Sequence, residues 1–369
     1  MGINGISGIR CRLRRFAGED GTSWTQGAKG DWMASQLSVY AGHMRFLKAI
    51  PALALALSLP ACGLFAPAQT PTARTTRTTS AGSTTHAAPR PDAVGVMIEN
   101  APQARPQSGI DRAQVVYEMM AEGGITRYLC YFNLNQAVAS IGPVRSARIY
   151  YVDIDKTYGL PLAHAGGNVD ALRAIPLLHI PNLDGLFAAH SYFWRISSRR
   201  APHNLYTSTA SLQKGITAMH LTTRPLRLWP TGAAPKGGTP TSSVRIQWVS
   251  NSLYSYETSF SYQNGSYVYG INGTPDVQAD AHEVKVQDAV ILQAVTAPDP
   301  DPYTPGSIRY QLTSGTGWLL RDGLRYRIDW QFGPNGFTFS SGGTTMPLAP
   351  GHVFVQVLPE PIAPVFPRS

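Results

Sequence analysis

Two dipeptides in the C-terminal third of the chain constrain its fold more than any other feature. Asn264-Gly265 sits inside FSYQNGSYVYG, and Asp322-Gly323 sits inside WLLRDGLRYRIDWQF, each flanked by alternating aromatic, branched and charged residues. Asn-Gly and Asp-Gly tolerate positive φ at both central positions, so they close two-residue hairpins whose twist suits antiparallel strands. With SVRIQWVS, VILQAV and SIRYQL beside them, the span 240–360 reads as a β-rich domain. A Pro/Gly-rich connection, RPLRLWPTGAAPKGGTPTSS at 224–243, leads into it.

Upstream, 92–223 alternates strand and helix patterns. AVGVMI at 93–98 reads as a buried strand. In VVYEMMAEGGITRYLCYF two apolar runs meet at Gly123-Gly124, which predicts a hairpin with Glu118, Glu122 and Arg127 on one face. A helix over 111–122 would instead stack Glu118 and Glu122 at i, i+4, so either geometry brings the carboxylates together. Ser146 is placed to cap a helix reaching Tyr158, because Ala147, Tyr150, Tyr151, Ile154 and Tyr158 recur at helical spacing. A short strand at 160–163 then delivers His164 to a Gly-Gly loop. Asn168 caps a second helix to about Leu178, and Ser208 starts a third after the loop 195–206. The expected class is α+β: an N-terminal mixed α/β domain followed by a smaller β-rich domain.

The segment 44–63, MRFLKAIPALALALSLPACG, has a short basic start, an apolar run too short to span a bilayer, and Cys62 after small residues. It reads as a signal peptide over 44–61 ending in a lipobox, with Cys62 as the lipid-bearing residue. On that reading translation starts at Met44, 1–43 is a non-translated extension, and 308 residues remain. The stretch 62–91 is rich in Thr, Ala, Pro and Ser and buries too little apolar surface to order itself, so it is expected to be a tether. The protein is therefore expected to be extracytoplasmic, anchored to the outer face of the cytoplasmic membrane.

Past Cys62 there are 24 Lys and Arg against 19 Asp and Glu, a charge of +5, without the clustered cations of a nucleic-acid binder. In the full chain arginine outnumbers lysine 25 to 6, which favours planar forks that pair with phosphate or carboxylate. With Cys11 untranslated and Cys62 acylated, Cys130 alone cannot form an internal disulfide and reads as core filler. No Cys pair, HExxH or close His cluster marks a metal site, and no motif marks a cofactor. A charged fraction of 14% with few lysines also suits an acidic external medium.

IGPVRSAR at 141–148 sets Arg145 and Arg148 at the entry of the first helix, where cations are unfavourable unless an anion answers them. That anion is either a ligand or an internal carboxylate, Glu99, Glu118 or Glu122. His164, before Ala-Gly-Gly, and His203-Asn204, after Arg199, lie in loops where functional groups concentrate. The candidate ligand-binding set is Arg105, Arg127, Arg145, Arg148, His164, Arg199, His203 and Asn204. For catalysis the candidates are Glu118, Glu122, His164 and His203.

The stretches AVGVMIENAPQARPQSGIDRAQVVYEMMAEGGITRYLCYF, IGPVRSARIYYVDI, HAGG and RRAPHNLYT resemble the YerB-like bacterial lipoproteins. GINGTP, VKVQDAVILQ and GTGWLLRDGLRYRIDWQF are similar to that family's C-terminal domain. Glu99 stands where the family often has aspartate, and Asp288-Ala289 where it commonly has Asn-Val. The resemblance implies a lipid-anchored envelope protein and supplies no reaction. Together with the arginine excess, it leads to the expectation of a protein that holds an anionic envelope ligand or wall polymer in an Arg/His cleft. The alternatives are an envelope-polymer hydrolase using Glu118 or Glu122 with histidine assistance, and a protein-interaction module of an envelope complex.

Overall fold

Strands from both halves of the chain enter one sheet in the computed structural model, which describes residues 92–251, 254–300, 304 and 306–367. The extension 1–43, the signal segment 44–61, Cys62 and the tether to residue 91 lie outside the described residues. The N-terminal half holds β1 (Ala93–Glu99), β2 (Val115–Met120), β3 (Thr126–Asn133), α1 (Ile149–Tyr158), β4 (Leu162–His164), α2 (Val169–Leu177), β5 (Asn182–Asp184) and α3 (Thr209–Ala218). The C-terminal half contributes β6 (Ser243–Ser250), β7 (Ser255–Gln263), β8 (Ser266–Ile271), β9 (Asp288–Ala294), β10 (Ser314–Arg321), β11 (Leu324–Gly333), β12 (Gly336–Ser341) and β13 (Val353–Pro359).

Among the described residues the large sheet has 12 strands: the run β12-β11-β10-β9-β13-β2-β3-β1-β4-β5, the short strand Thr344–Thr345 beside β12, and Thr239–Pro240 beside β11. The last strand in sequence, β13, is thus wedged between the halves, parallel to β9 on one side and to β2 on the other. β1 and β13 are buried along their whole length. Both faces of such strands are covered, so AVGVMIE and VFVQVLP are near-continuous apolar runs. β6 and β11, covered on one face, alternate instead. On one face of the sheet Val96, Ile98, Val116 and Tyr128 pack with Phe260 and Tyr269 of the five-stranded sheet built on β6–β8. On the other face Met97, Tyr117, Leu129 and Tyr131 pack with Tyr151 and Ile154 of α1.

Both Xaa-Gly hairpins form as the sequence requires, with Gln263 opposite Ser266 and Arg321 opposite Leu324. Asn168 and Ser208 cap α2 and α3 through side chains that accept from Ala171 N and Ser211 N. Cys130 is buried in β3, where burial pushes its thiol well up. The mixed α/β description holds in part. Among the described residues three α-helices and the parallel run β1-β4-β5 are present, but strands dominate and the sheet continues into the C-terminal half. No helix among the described residues is long and apolar enough to cross a membrane.

Two local expectations are corrected. A two-residue Gly123-Gly124 turn would pair Glu118 with Leu129, but the β2–β3 hairpin pairs Glu118 with Tyr128 and Met119 with Arg127. Ala121 N–H donates to Ile125 O over 2.7 Å, so the turn contains Glu122, Gly123 and Gly124. A shift of one residue moves every side chain of the strand to the other face, and Arg127 therefore faces away from Glu118. Gly124, at φ +79°, lies where a Cβ would stand 2.2 Å from Val249 Cγ2 of β6, which ties the turn to the second sheet. The second correction concerns α1, which begins at Ile149 with Arg148 as its N-cap and no side-chain capping bond, so Ser146 is not the cap.

Candidate functional site

β1 runs parallel to β4 and antiparallel to β3, so Glu99 at the end of β1 has Arg127 as its register partner. Ends of this kind, where parallel strands finish, are where open α/β sheets place ligands. The segment after β3 returns here, with Arg145 N–H donating to Met97 O over 2.9 Å. Arg145 Nε reaches Glu99 Oε1 at 3.0 Å, and His203 Nδ1 lies 3.0 Å from the other oxygen, Glu99 Oε2. Next to this group, Arg148 grips Glu122 in a bidentate fork, Nη2 to Oε1 at 2.6 Å and Nε to Oε2 at 3.1 Å. Arg127 Nη2 also binds Glu122 Oε1, and its Nη1 donates to Ser146 O over 3.0 Å.

The result is a continuous rim in which three guanidiniums meet two carboxylates. Burial and the neighbouring Arg148, only partly offset by Glu122, push Arg127 down to about 10. Burial by itself would raise Glu122, but Arg127 and Arg148 hold it below the usual carboxylate range. Arg127 and Arg148 are nearly closed off, at 6% and 5% side-chain exposure, whereas Arg145 keeps 26%, His203 24% and Glu122 30%. The surplus cation thus has an open side at Arg145 and His203.

The other predicted residues go elsewhere. Arg105 Nε donates to Asn100 Oδ1 over 3.1 Å and its guanidinium lies 5.0 Å from the Tyr256 ring, on the far face of the sheet. Arg199 donates to Ala104 O and Pro106 O, both at 2.6 Å, clasping one loop to another. Asn204 bridges Arg195, Ile196 and Arg199 within its own loop. His164 is fully buried, with Nδ1 2.9 Å from Gly166 O and Nε2 2.8 Å from Asn182 Oδ1, so both ring nitrogens are committed.

Glu118 is fully buried on the face opposite Glu122, which corrects the expectation that the two carboxylates lie together. It accepts from Thr126 Oγ1 at 2.7 Å, Tyr256 OH at 2.5 Å, Tyr269 OH at 3.0 Å and Gln356 Nε2 at 2.7 Å. Burial raises its pKa against the pull of these donors. A carboxyl enclosed in this way cannot meet a substrate, and it shares no cleft with Glu122.

Sequence reasoning missed the tyrosines and Gln356 around Glu118, because they come from the other half of the chain. The clue was present: a glutamate inside VVYEMM, in a strand buried on both faces, must find its partners internally. Asp111, Asp280 and His282 also converge, their ligand atoms within 4.8 Å of one another, although 169 residues separate the first two. Arg112 answers one of the two carboxylate charges, 2.7 Å from Asp111 and 3.9 Å from Asp280, and His282 Nδ1 lies 3.0 Å from Asp280.

Two family descriptions match the chain in order. "Protein of unknown function (DUF3048) N-terminal domain" matches residues 78–222, and the DUF3048 C-terminal domain matches 244–355. YerB of Bacillus subtilis (strain 168), whose name describes it as a lipoprotein, is 29% identical over 277 residues, covering 72% of this chain and 81% of that protein. The crystal structure of YerB from Bacillus subtilis is similar at TM-score 0.68 and 26% identity, covering 75% of this chain and 94% of that one.

Proposed function

The chain belongs to the DUF3048 family, and on that premise we propose that it is a lipid-tethered extracytoplasmic protein that holds an anionic envelope ligand at the arginine rim. One observation carries the reading. Three guanidiniums answer only two carboxylates, and the least buried of the three, Arg145, stands with His203 on the open side. A surplus guanidinium in a partly desolvated setting, with a histidine N–H beside it, favours an incoming phosphate or carboxylate. Of the original set, Arg145 and His203 are the direct ligand contacts, and Arg148 and Arg127 set the field behind them. The tether is proposed to start at lipid-modified Cys62, after removal of the signal segment 44–61. The name of the Bacillus subtilis relative supports that part.

Retention on isolated wall fragments tests the binding reading. Arg145→Gln with His203→Gln should lose retention, with circular dichroism confirming that the fold survives the loss of the charged partners of buried Glu99. Unchanged retention would remove the rim from the function. Cys62→Ser should release the protein from the membrane fraction, and continued membrane association would contradict the anchor.

A further inference from the structure

A second cluster of cations lies on the outer side of the β10–β11 hairpin. Arg325 and Arg327 are two residues apart on β11 and share a face, while Tyr326 between them is buried. Trp318 of β10 is the register partner of Arg327. The guanidinium carbons of Arg327 and Arg325 stand 4.8 and 5.8 Å from the Trp318 ring centroid, and Arg325 is 4.3 Å from that of Phe366. Arg327 Nη2 also donates to Thr316 Oγ1 over 2.6 Å. Both arginines line a groove of about 520 Å³, together with Lys236, Thr344 and Thr345.

Among the described residues no carboxylate lines this groove. Three cations gathered without an anion repel one another and raise the local positive potential, which an anionic ligand relieves. The rings fix the guanidinium planes in advance through cation–π contact, so little ordering is left for binding to impose. The volume falls in the roughly 300–1,000 Å³ range of small-ligand sites. Arginine forks fit phosphate oxygens, and the threonine hydroxyls fit the alcohols of a polyol or sugar.

We propose that this groove binds a phosphate-bearing polyol or sugar chain, with its phosphates on Arg325, Arg327 and Lys236. Basic and aromatic side chains also meet single-stranded nucleic acid, which stacks its bases on open ring faces. Here guanidiniums already lie over the Trp318 and Phe366 rings, so the polyol phosphate is favoured. The site stands on its own observations and does not depend on the arginine rim.

Anisotropy of a labelled poly(glycerol phosphate) titrated with the full chain tests the proposal. Arg325→Gln with Arg327→Gln should weaken binding by about tenfold or more, and Lys236→Gln, in a loop, by about threefold. Neutral dextran should not compete, and inorganic phosphate should compete far less than the polymer. Lys236→Gln decides the matter should the double variant fail to fold. The proposal is overturned by a variant that binds as the wild type does, by a wild type that ignores the polymer, or by tighter binding of oligo(dT).

Discussion

Gln356 donates its side-chain amide to Glu118 Oε2 over 2.7 Å, and the two are register partners on the parallel strands β13 and β2. One buried carboxylate thus ties the last strand of the chain to the second, with Tyr256 and Tyr269 of the five-stranded sheet bonded to the same group. Glu118→Ala should leave these donors buried without an acceptor and cost about 3 kcal/mol or more. Urea unfolding measures it. A change within about 0.5 kcal/mol, the level of an ordinary surface substitution, would show that the network carries no stability.

Stability should fall as pH rises. Burial lifts Asp155 to about 8, and Asp276 and Asp288 each to about 6, all from 3.8. Acids raised on folding contribute stability that is fully present below their unfolded pKa and is lost as pH climbs through the folded one. The loss therefore runs from about pH 4 to about pH 8. Asp155 accepts from Tyr131 OH over 3.1 Å while its Oδ2 has no partner, the pattern of a neutral acid. Asp155→Asn should stabilise the protein at pH 7.5 by an amount on the order of a few kcal/mol and flatten the profile. Melting temperatures across pH measure this; a wild-type optimum at neutral pH would contradict it, and with it the expectation of an acidic medium.

The turn after β2 offers a paired test. Gly123 and Gly124 both have positive φ, but a Cβ on Gly123 meets open space whereas one on Gly124 would overlap Val249. Gly123→Ala should cost about 1 kcal/mol for the left-handed backbone alone. Gly124→Ala should cost about 1–3 kcal/mol more for overpacking. Equal costs in chemical denaturation would mean that the turn does not rest on β6.

Glu122 works in the opposite pH direction from the buried aspartates. Its carboxyl is held below the normal range, so its contribution is present above the unfolded pKa and is lost as pH falls through the folded one. Glu122→Gln leaves two buried guanidiniums short of an anion and should cost about 2 kcal/mol at pH 7. The difference from wild type should shrink as acid titrates Glu122 in the folded protein; a pH-independent deficit would point to packing instead of charge.

Local chemistry was legible wherever a few neighbouring residues decide the outcome. Asn264-Gly265, Asp322-Gly323, Asn168 and Ser208 each act through their own turn or cap, and each does what its sequence requires. The β2–β3 register was not legible, because Glu122-Gly123-Gly124 and a tighter Gly123-Gly124 turn look alike in one dimension. In the fold Gly124 of that turn packs against Val249, more than a hundred residues away. The partners of Glu118 and the place of β13 were hidden for the same reason: they are long-range pairings. Arg325 and Arg327 were more accessible, since LRYRIDW already puts alternate residues on one face of a strand.

The charge surplus at the rim is tested most directly by calorimetric titration of inorganic pyrophosphate into three proteins: wild type, Arg145→Gln and Glu122→Gln. Removing a cation should weaken binding by about tenfold, and removing an anion should tighten it or at least preserve it. The predicted order of affinity is Glu122→Gln, then wild type, then Arg145→Gln. Affinities that are the same in all three, or lost in Glu122→Gln while Arg145→Gln still binds, would contradict a rim built to hold an anion.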